Sequence, residues 1–266
     1  MDFDPTRPPS QPRDAATVVL LRDGPGGAEV FLLRRHRGAS FMARSYVFPG
    51  GGREGEEDPR RTAARELFEE AGVLLADRPL PNGDLARWRA EQAAGAPLGE
   101  VMGEASLDLE LLVPFSHWIT PSAEKRRFSA RFYVAVLPEG QVPSFDDVET
   151  VDEAWVTPRG GLRRADELLL PPPQLRTLRE LAGPAPEGAA AVLAFARARA
   201  EHMLPIVPRF APMSDQPEGF ALLLPWDPDY ETLGTGEGEA FPLGHPFGGG
   251  ASRFVRQGNA WRDVEA

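Results

Sequence analysis

The 266-residue chain sets 29 Lys and Arg against 40 Asp and Glu, for a net charge of −11, and contains no cysteine. Disulfides, thiolate metal sites and thiol nucleophiles are therefore excluded, and the acidic balance argues against nonspecific nucleic-acid binding. No run of about 18 apolar residues occurs, so no membrane span is expected and the composition reads as that of a cytoplasmic protein.

In chain order, residues 1–14 are acidic and proline-rich and read as a flexible tail. Ala16–Leu21 and Glu29–Arg34 are β-rich runs around the turn-forming Asp23–Gly27, which predicts a hairpin. Tyr46-Val47-Phe48 leads into a Pro49–Gly52 loop whose glycines let the backbone approach a metal or phosphate. Pro59–Ala71 is predicted as a helix: Asp58 can cap it, Pro59 suits its first position and Gly72 its end. Asp77–Gly103, rich in Pro, Gly and Ala, reads as an insertion with a short helix at Leu85–Gln92.

Strands are predicted at Leu112–Thr120, Arg127–Leu137 and Thr150–Thr157, the second half-buried from the alternation Phe128, Ala130, Phe132, Val134, Val136. Helices follow at Gly161–Leu168, Pro173–Ala182 and Gly188–His202. Phe220–Leu224 and Ser252–Gln257 complete a small β appendage around the Gly-rich 234–250. The expected organisation is one domain over 15–205, with an appendage over 206–266 packed on it.

One constellation carries chemistry. Gly51, Glu57, Arg65, Glu66, Leu67, Glu69, Glu70, Gly72 and Val73 fill the pattern G-x5-E-x7-R-E-U-x-E-E-x-G-U, with U a bulky aliphatic residue. The chance of such a match is on the order of 10⁻⁹ per starting point. Within the helix, Glu66, Glu69 and Glu70 stand at i, i+3, i+4 and share a face. A solvated acidic face is the bland reading of such a trio. The matching glycine loop, Glu57 and Arg65 favour a site for a hard divalent cation, Mg²⁺ or Mn²⁺, which compensates like charges with oxygen ligands. Arg65 is read as turned away from Glu66 and orienting Glu57 or Glu69.

The pattern resembles the Nudix box, the signature of hydrolases that cut a diphosphate linked to another moiety. The resemblance implies an α/β Nudix fold, a mixed β-sheet sandwiched between helices, here with a C-terminal helical and small β extension. It implies Glu57, Arg65, Glu66, Glu69 and Glu70 as catalytic residues. Gly51 through its carbonyl, Glu66, Glu69, Glu70 and a carboxylate from a distant loop are implied as metal ligands. Glu149 is the first candidate for that last ligand, with Glu153, Asp146 and Asp147 as alternatives; the general base stays unassigned.

Further pieces are similar to the peroxisomal acyl-coenzyme A diphosphatases of animals: Leu33-Arg34-Arg35, Gly38–Phe48, Trp118-Ile119-Thr120-Pro121, Arg126-Arg127-Phe128 and Leu170–Gln174. This branch implies cleavage of coenzyme A or its acyl thioesters into (acyl-)4′-phosphopantetheine and adenosine 3′,5′-bisphosphate. Arg126 and Arg127 beside Phe128, with Arg34, Arg35, Arg37 and Arg44, are the candidate substrate-binding residues. Trp118 is read as core rather than as a stacking platform. The chain ends without a Ser-Lys-Leu address, which agrees with the cytoplasmic reading. The expected partner is a small diphosphate substrate, without nucleic acid or membrane; a homodimer is left open. ADP-ribose, a dinucleotide, an oxidised nucleotide, or a non-catalytic ligand sensor remain the alternatives.

Overall fold

The computed structural model describes residues 10–38, 42–102, 105–213 and 219–264. Its body is an eight-stranded mixed sheet. β1 (Arg13–Gly24) and β2 (Gly27–Arg35) form the expected hairpin, with Leu21 opposite Val30 and Gly24 opposite Gly27. The tight turn needs glycine: Gly27 has φ 100°, and a Cβ there would lie 2.3 Å from the Ala185 carbonyl oxygen. β3 (Tyr46–Val47) and β7 (Thr150–Val156) pair with β2, while β4 (Gly50–Gly52) pairs with the first half of β1. Along the other edge of β1 runs β6 (Phe128–Val136) in parallel, then β5 (Val113–Ile119) and β8 (Pro205–Ile206).

Alternation along these strands sorts the core into two layers. Ala16, Val18, Leu20, Phe31, Leu33, Tyr133 and Ala135 pack with Ala63, Ala64, Leu67 and Ala71 of α1 (Pro59–Ala71). Val19, Leu21, Val30, Leu32, Phe132 and Val134 pack on the opposite layer. That layer holds Leu175 and Leu178 of the helix Pro172–Leu181, and Val192 and Ala196 from the helix after it. Only the second half of β6 departs from the half-burial that its alternation suggested. Phe132, Tyr133, Val134 and Ala135 are all buried, because helices cover both faces and the intervening positions are apolar too.

Two helices continue from the insertion, α2 (Asn82–Ala93) and α3 (Leu98–Val101). After β7 come α4 (Pro158–Arg163), α5 (Pro172–Leu181) and α6 (Ala189–Ala200). α4 begins and ends earlier than the predicted Gly161–Leu168. Thr157 caps the Gly160 amide and Pro158 takes the first turn, while Arg164, at φ −103° and ψ 17°, leaves the helical conformation and ends it. Residues 13 and 14, read as tail, already belong to β1. Among the described residues no helix is long and apolar enough to cross a membrane.

A second, antiparallel sheet orders β12 (Ala260–Val264), β11 (Arg253–Gln257), β10 (Phe220–Leu223) and β9 (Arg209–Pro212). Its Phe210, Leu222, Phe254 and Trp261 join the α5–α6 core layer, so the two sheets share apolar packing. A buried ionic cluster ties them further. Glu180 of α5 accepts from Arg176 at 2.6 Å and from Arg199 of α6 at 2.7 Å. Arg176 also donates to the carbonyls of Phe247, Gly249 and Ala251, and Arg199 to that of Phe115 in β5. The Arg199 guanidinium lies 3.7 Å from the centre of the Phe247 ring.

His117 on β5 yields a stability prediction. Its Nε2 lies 2.9 Å from Ser129 Oγ, and burial, helped by Arg131, brings its pKa from 6.5 down to about 4. The unfolded chain binds this proton first, so the fold loses stability as pH falls from 6.5 through 4. Urea midpoints measured at pH 7 and 4.5 are expected to drop less in His117→Gln than in the parent. Equal drops would mean that His117 protonates freely within the fold.

Candidate active site

The site starts from how α1 is held. The Asp58 carboxylate accepts from the Arg60 and Arg61 amides at 2.9 and 3.1 Å. At the other end Gly72, at φ 67°, donates its N–H to the Phe68 carbonyl. The helix ends fall where the sequence placed them because both signals are local. With its alanines and Leu67 against the sheet, α1 turns Arg65, Glu66, Glu69 and Glu70 toward its rim.

Arg65 is the hub of this rim. Its Nε donates to both oxygens of Glu57 at 3.1 and 3.2 Å, and Nη2 to the Gly52 carbonyl at 2.8 Å. Nη1 is shared between Glu69 at 2.9 Å and Glu66 at 3.0 Å. The expectation that Arg65 turns away from Glu66 is thus corrected: the long side chain folds back, and one nitrogen reaches both carboxylates. Burial opposes the guanidinium charge, yet Glu57, Glu66 and Glu69 together hold its pKa above the ordinary arginine value.

The glutamates differ in their surroundings. Burial pushes the Glu70 carboxyl up to about 8, against the Gly50 N–H that donates to it at 2.9 Å; Glu66 and Glu149 add repulsion. Burial likewise raises Glu66 to about 7, partly countered by Arg65. Glu69 is raised by burial as well, and both its oxygens are engaged, one by Arg65 and one by Gln92 at 2.6 Å. Glu69 therefore belongs more to the protein's own network than the sequence implied.

Gly51 explains how a helix on one side of the sheet serves a site on the other. A Cβ at Gly51 would stand 2.5 Å from the Glu66 carboxylate atoms. Gly51→Ala is expected to displace Glu66 and lower kcat about 100-fold, the usual cost of a misplacement near 1 Å. Steady-state kinetics beside a melting curve checks this, since an unchanged rate would show that Glu66 need not sit there.

Of the four distant acids, Glu149 lines the same cavity as Glu66. Asp146 instead collects the amides of Val148, Glu149 and Thr150, Glu153 accepts from the Phe145 amide, and Asp147 is exposed at φ 62°. The insertion braces this region from behind. Arg89 of α2 donates to the Glu69 and Glu70 carbonyls at the end of α1, and to the Ser144 carbonyl in the loop leading to Glu149. Sequence reading missed Arg89. The signal was its spacing with Leu85, Trp88 and Gln92 on one helical face.

The cavity encloses about 370 Å³. Its floor is the sheet face opposite α1: Ala15 and Thr17 of β1 stand beside Ala130 and Phe132 of β6, and Trp118 of β5 opposite Ala130. Glu66, Glu149 and Gly50–Gly52 form one end; Ile119–Pro121, Pro172–Gln174, Pro208 and Leu222 complete the walls. Trp118 is both buried core, as expected, and cavity wall.

Arg35, Arg126 and Phe128 also line the cavity. The Arg35 Nε is buried without a hydrogen-bond partner, and its charge favours the ionised form of Glu70. Four proposed substrate contacts are not brought there. Arg127 is 3% exposed and spends its donors on Thr120, Ser10 and Glu237, because neighbours entering β6 point to opposite sides. Arg34 faces Asp152, 4.0 Å away, on the other side of β2 from Arg35. Arg44 is exposed, at φ 67°, and Arg37 is exposed as well. Residues 39–41 of the quoted 38–48 piece lie outside the described residues.

Among the described residues, no three acidic, histidine or cysteine side chains converge as a ready-made cation cage. The donor set nonetheless fits a magnesium-like ion, which takes one or two carboxylates and completes its shell with water and substrate phosphate. Two repelling carboxylates, the partly buried Glu66 and the buried Glu70, are the groups such an ion would relieve.

Comparison with known proteins agrees with this geometry. Residues 56–181 match the family model described as the NUDT19 Nudix domain. "Putative nudix hydrolase 7" of Caenorhabditis elegans is 29% identical over 181 residues, covering 64% of this chain and 60% of that protein. "Acyl-coenzyme A diphosphatase NUDT19" of Xenopus laevis is 25% identical over 230 residues, covering 59% and 60%. The chain thus spans about 60% of the length of these relatives. A crystal structure of a Nudix hydrolase from Alicyclobacillus acidocaldarius superposes with a TM-score of 0.59 at 27% identity, covering 70% of this chain and 96% of that one.

Proposed function

We infer the function from one premise: the chain belongs to the Nudix superfamily and resembles its acyl-coenzyme A diphosphatase branch. The proposed reaction is hydrolysis of the diphosphate of coenzyme A or an acyl-coenzyme A. Water adds to one phosphorus and the bridging P–O bond breaks, which leaves (acyl-)4′-phosphopantetheine and adenosine 3′,5′-bisphosphate. The observation that carries it is a single cavity joining Glu66 and Glu149 to arginines and a largely apolar wall. The pieces of branch resemblance, Trp118–Pro121, Arg126, Phe128 and Pro172–Gln174, meet in that wall although they are far apart in sequence.

Glu66, Glu70, Glu149 and the Gly51 carbonyl are the groups proposed to hold Mg²⁺ or Mn²⁺, with Glu69 supporting them. When bound, the ion supplies Lewis-acid polarisation and a more acidic water. Arg65 keeps Glu57, Glu66 and Glu69 in register, so the carboxylates are held before substrate arrives. Arg35 and Arg126 offer cationic contacts to phosphate oxygens, and Phe128 a face for the adenine. A cytoplasmic location belongs to the same proposal, and cell fractionation checks it.

Product analysis by mass spectrometry tests the reaction. The protein with Mg²⁺ or Mn²⁺ is given coenzyme A, acyl-coenzyme A, ADP-ribose, dinucleotides and nucleoside triphosphates. Fastest release of adenosine 3′,5′-bisphosphate supports the assignment. Faster release of AMP from ADP-ribose or a dinucleotide replaces the substrate, and tight binding without turnover replaces the enzyme by a sensor.

A further inference from the structure

The insertion reaches the rim of α1 through one face of α2. Leu85, Trp88, Arg89 and Gln92 recur there at helical spacing, and Leu85 and Trp88 are buried in one cluster with Phe68 of α1 and Leu74. Arg89 fixes the approach. Its guanidinium spans the Glu69 and Glu70 carbonyls, and a Cβ at Gly72 would come within 3.1 Å of its Nη1. This packing delivers Gln92 to Glu69, where Nε2 donates to one carboxylate oxygen at 2.6 Å. Arg65 donates to the other oxygen at 2.9 Å. Both bonds go to an ionisable carboxylate, the class of hydrogen bond that is roughly twice as strong as a neutral one. The Gln92 amide is committed to Glu69 at some cost, because its Oε1 is buried without a hydrogen-bond partner. Glu66 and Glu70, by contrast, accept from Arg65 and from the Gly50 amide, beside them in the helix and its glycine loop.

We propose that Gln92 is a positioning residue that withholds Glu69 from the divalent ion, leaving Glu66 and Glu70 as the ligands from α1. The proposal rests on the metal-site reading above. A carboxylate pinned by donors on both oxygens shares its charge with them and turns toward an ion only by breaking one of those bonds. A magnesium-like ion works with one or two carboxylates and completes its shell with water and substrate phosphate. A third glutamate from the same helix would take a position that substrate needs. The insertion thereby keeps the ion loosely held until a diphosphate supplies the remaining oxygens.

The test measures metal binding without turnover. Mn²⁺ alone is titrated into the full chain, and the electron paramagnetic resonance signal of the free ion gives its affinity. Gln92→Ala is expected to bind Mn²⁺ about tenfold more tightly than the parent, the worth of one hydrogen bond to a charged group. Gln92→Met keeps the side-chain length without the donor and should match it; a thermal melt checks that both fold. In a Glu69→Gln background, Gln92→Ala should change Mn²⁺ affinity by less than about twofold, because its effect runs through Glu69. Unchanged or weaker Mn²⁺ binding in both Gln92 variants overturns the proposal and leaves the metal site standing. A gain that persists beside Glu69→Gln overturns it as well. Equal Mn²⁺ affinity in the parent and in Glu66→Gln/Glu70→Gln overturns the metal-site reading itself, and the proposal with it.

Discussion

A Glu66→Gln/Glu70→Gln protein is expected to fold like the parent and to hydrolyse its diphosphate substrate about a thousandfold more slowly. A bound divalent ion contributes several kcal/mol of transition-state stabilisation, and each 1.36 kcal/mol is a factor of ten in rate. Under the proposed ion binding by Glu66 and Glu70, removing both carboxylates forfeits most of that term. The fold should tolerate the change. Burial already favours the neutral form of Glu70, and the glutamine oxygen can still accept from the Gly50 amide. Turnover at saturating metal, measured beside a thermal melt, checks both halves. Full activity in this variant would remove the two carboxylates from the chemistry.

The largest stability effect is expected at Glu180. It is the one acid bonded by both Arg176 and Arg199, and the three side chains are 6–8% exposed. Glu180→Ala leaves two buried guanidinium groups without their counter-charge, a change that costs about 3–5 kcal/mol. For a chain of this size that corresponds to a fall in Tm on the order of 10 °C. The exposed pair Arg164–Glu167 is the control, since Arg164→Ala should cost under about 1 kcal/mol. Comparable losses in the two variants would mean that the buried cluster does not fasten the C-terminal sheet to α5 and α6.

Legibility followed the range of the interactions. α1 was readable to the residue because Asp58, Pro59 and Gly72 act within one turn of the ends they set. The long strands β1, β2, β5, β6 and β7 were readable from β-rich runs several residues long. β8, β9 and β12 were not: each is two to five residues long, too short for an alternation to register, and β8 exists only because the distant β5 pairs with it. The same limit governed the site. The carboxylates on α1 followed from helical spacing, whereas Arg34, Arg44 and Arg127 looked like Arg35 and Arg126 until pairing fixed which side each faced. The helical face of Arg89 was readable but its role was not, because that role depends on carbonyls tens of residues away.

The sheet between α1 and the cavity has an evolutionary consequence. The proposed metal-binding carboxylates meet the cavity beside a strip of glycine backbone that has no room for a Cβ at Gly51. Substitutions in β5, β6, α5 or the C-terminal sheet reshape the cavity without changing the neighbours of the Arg65 hub. A mutant library confined to that face would therefore sample new ligands at constant chemistry. A lineage of such proteins could diversify its diet while inheriting one cutting edge.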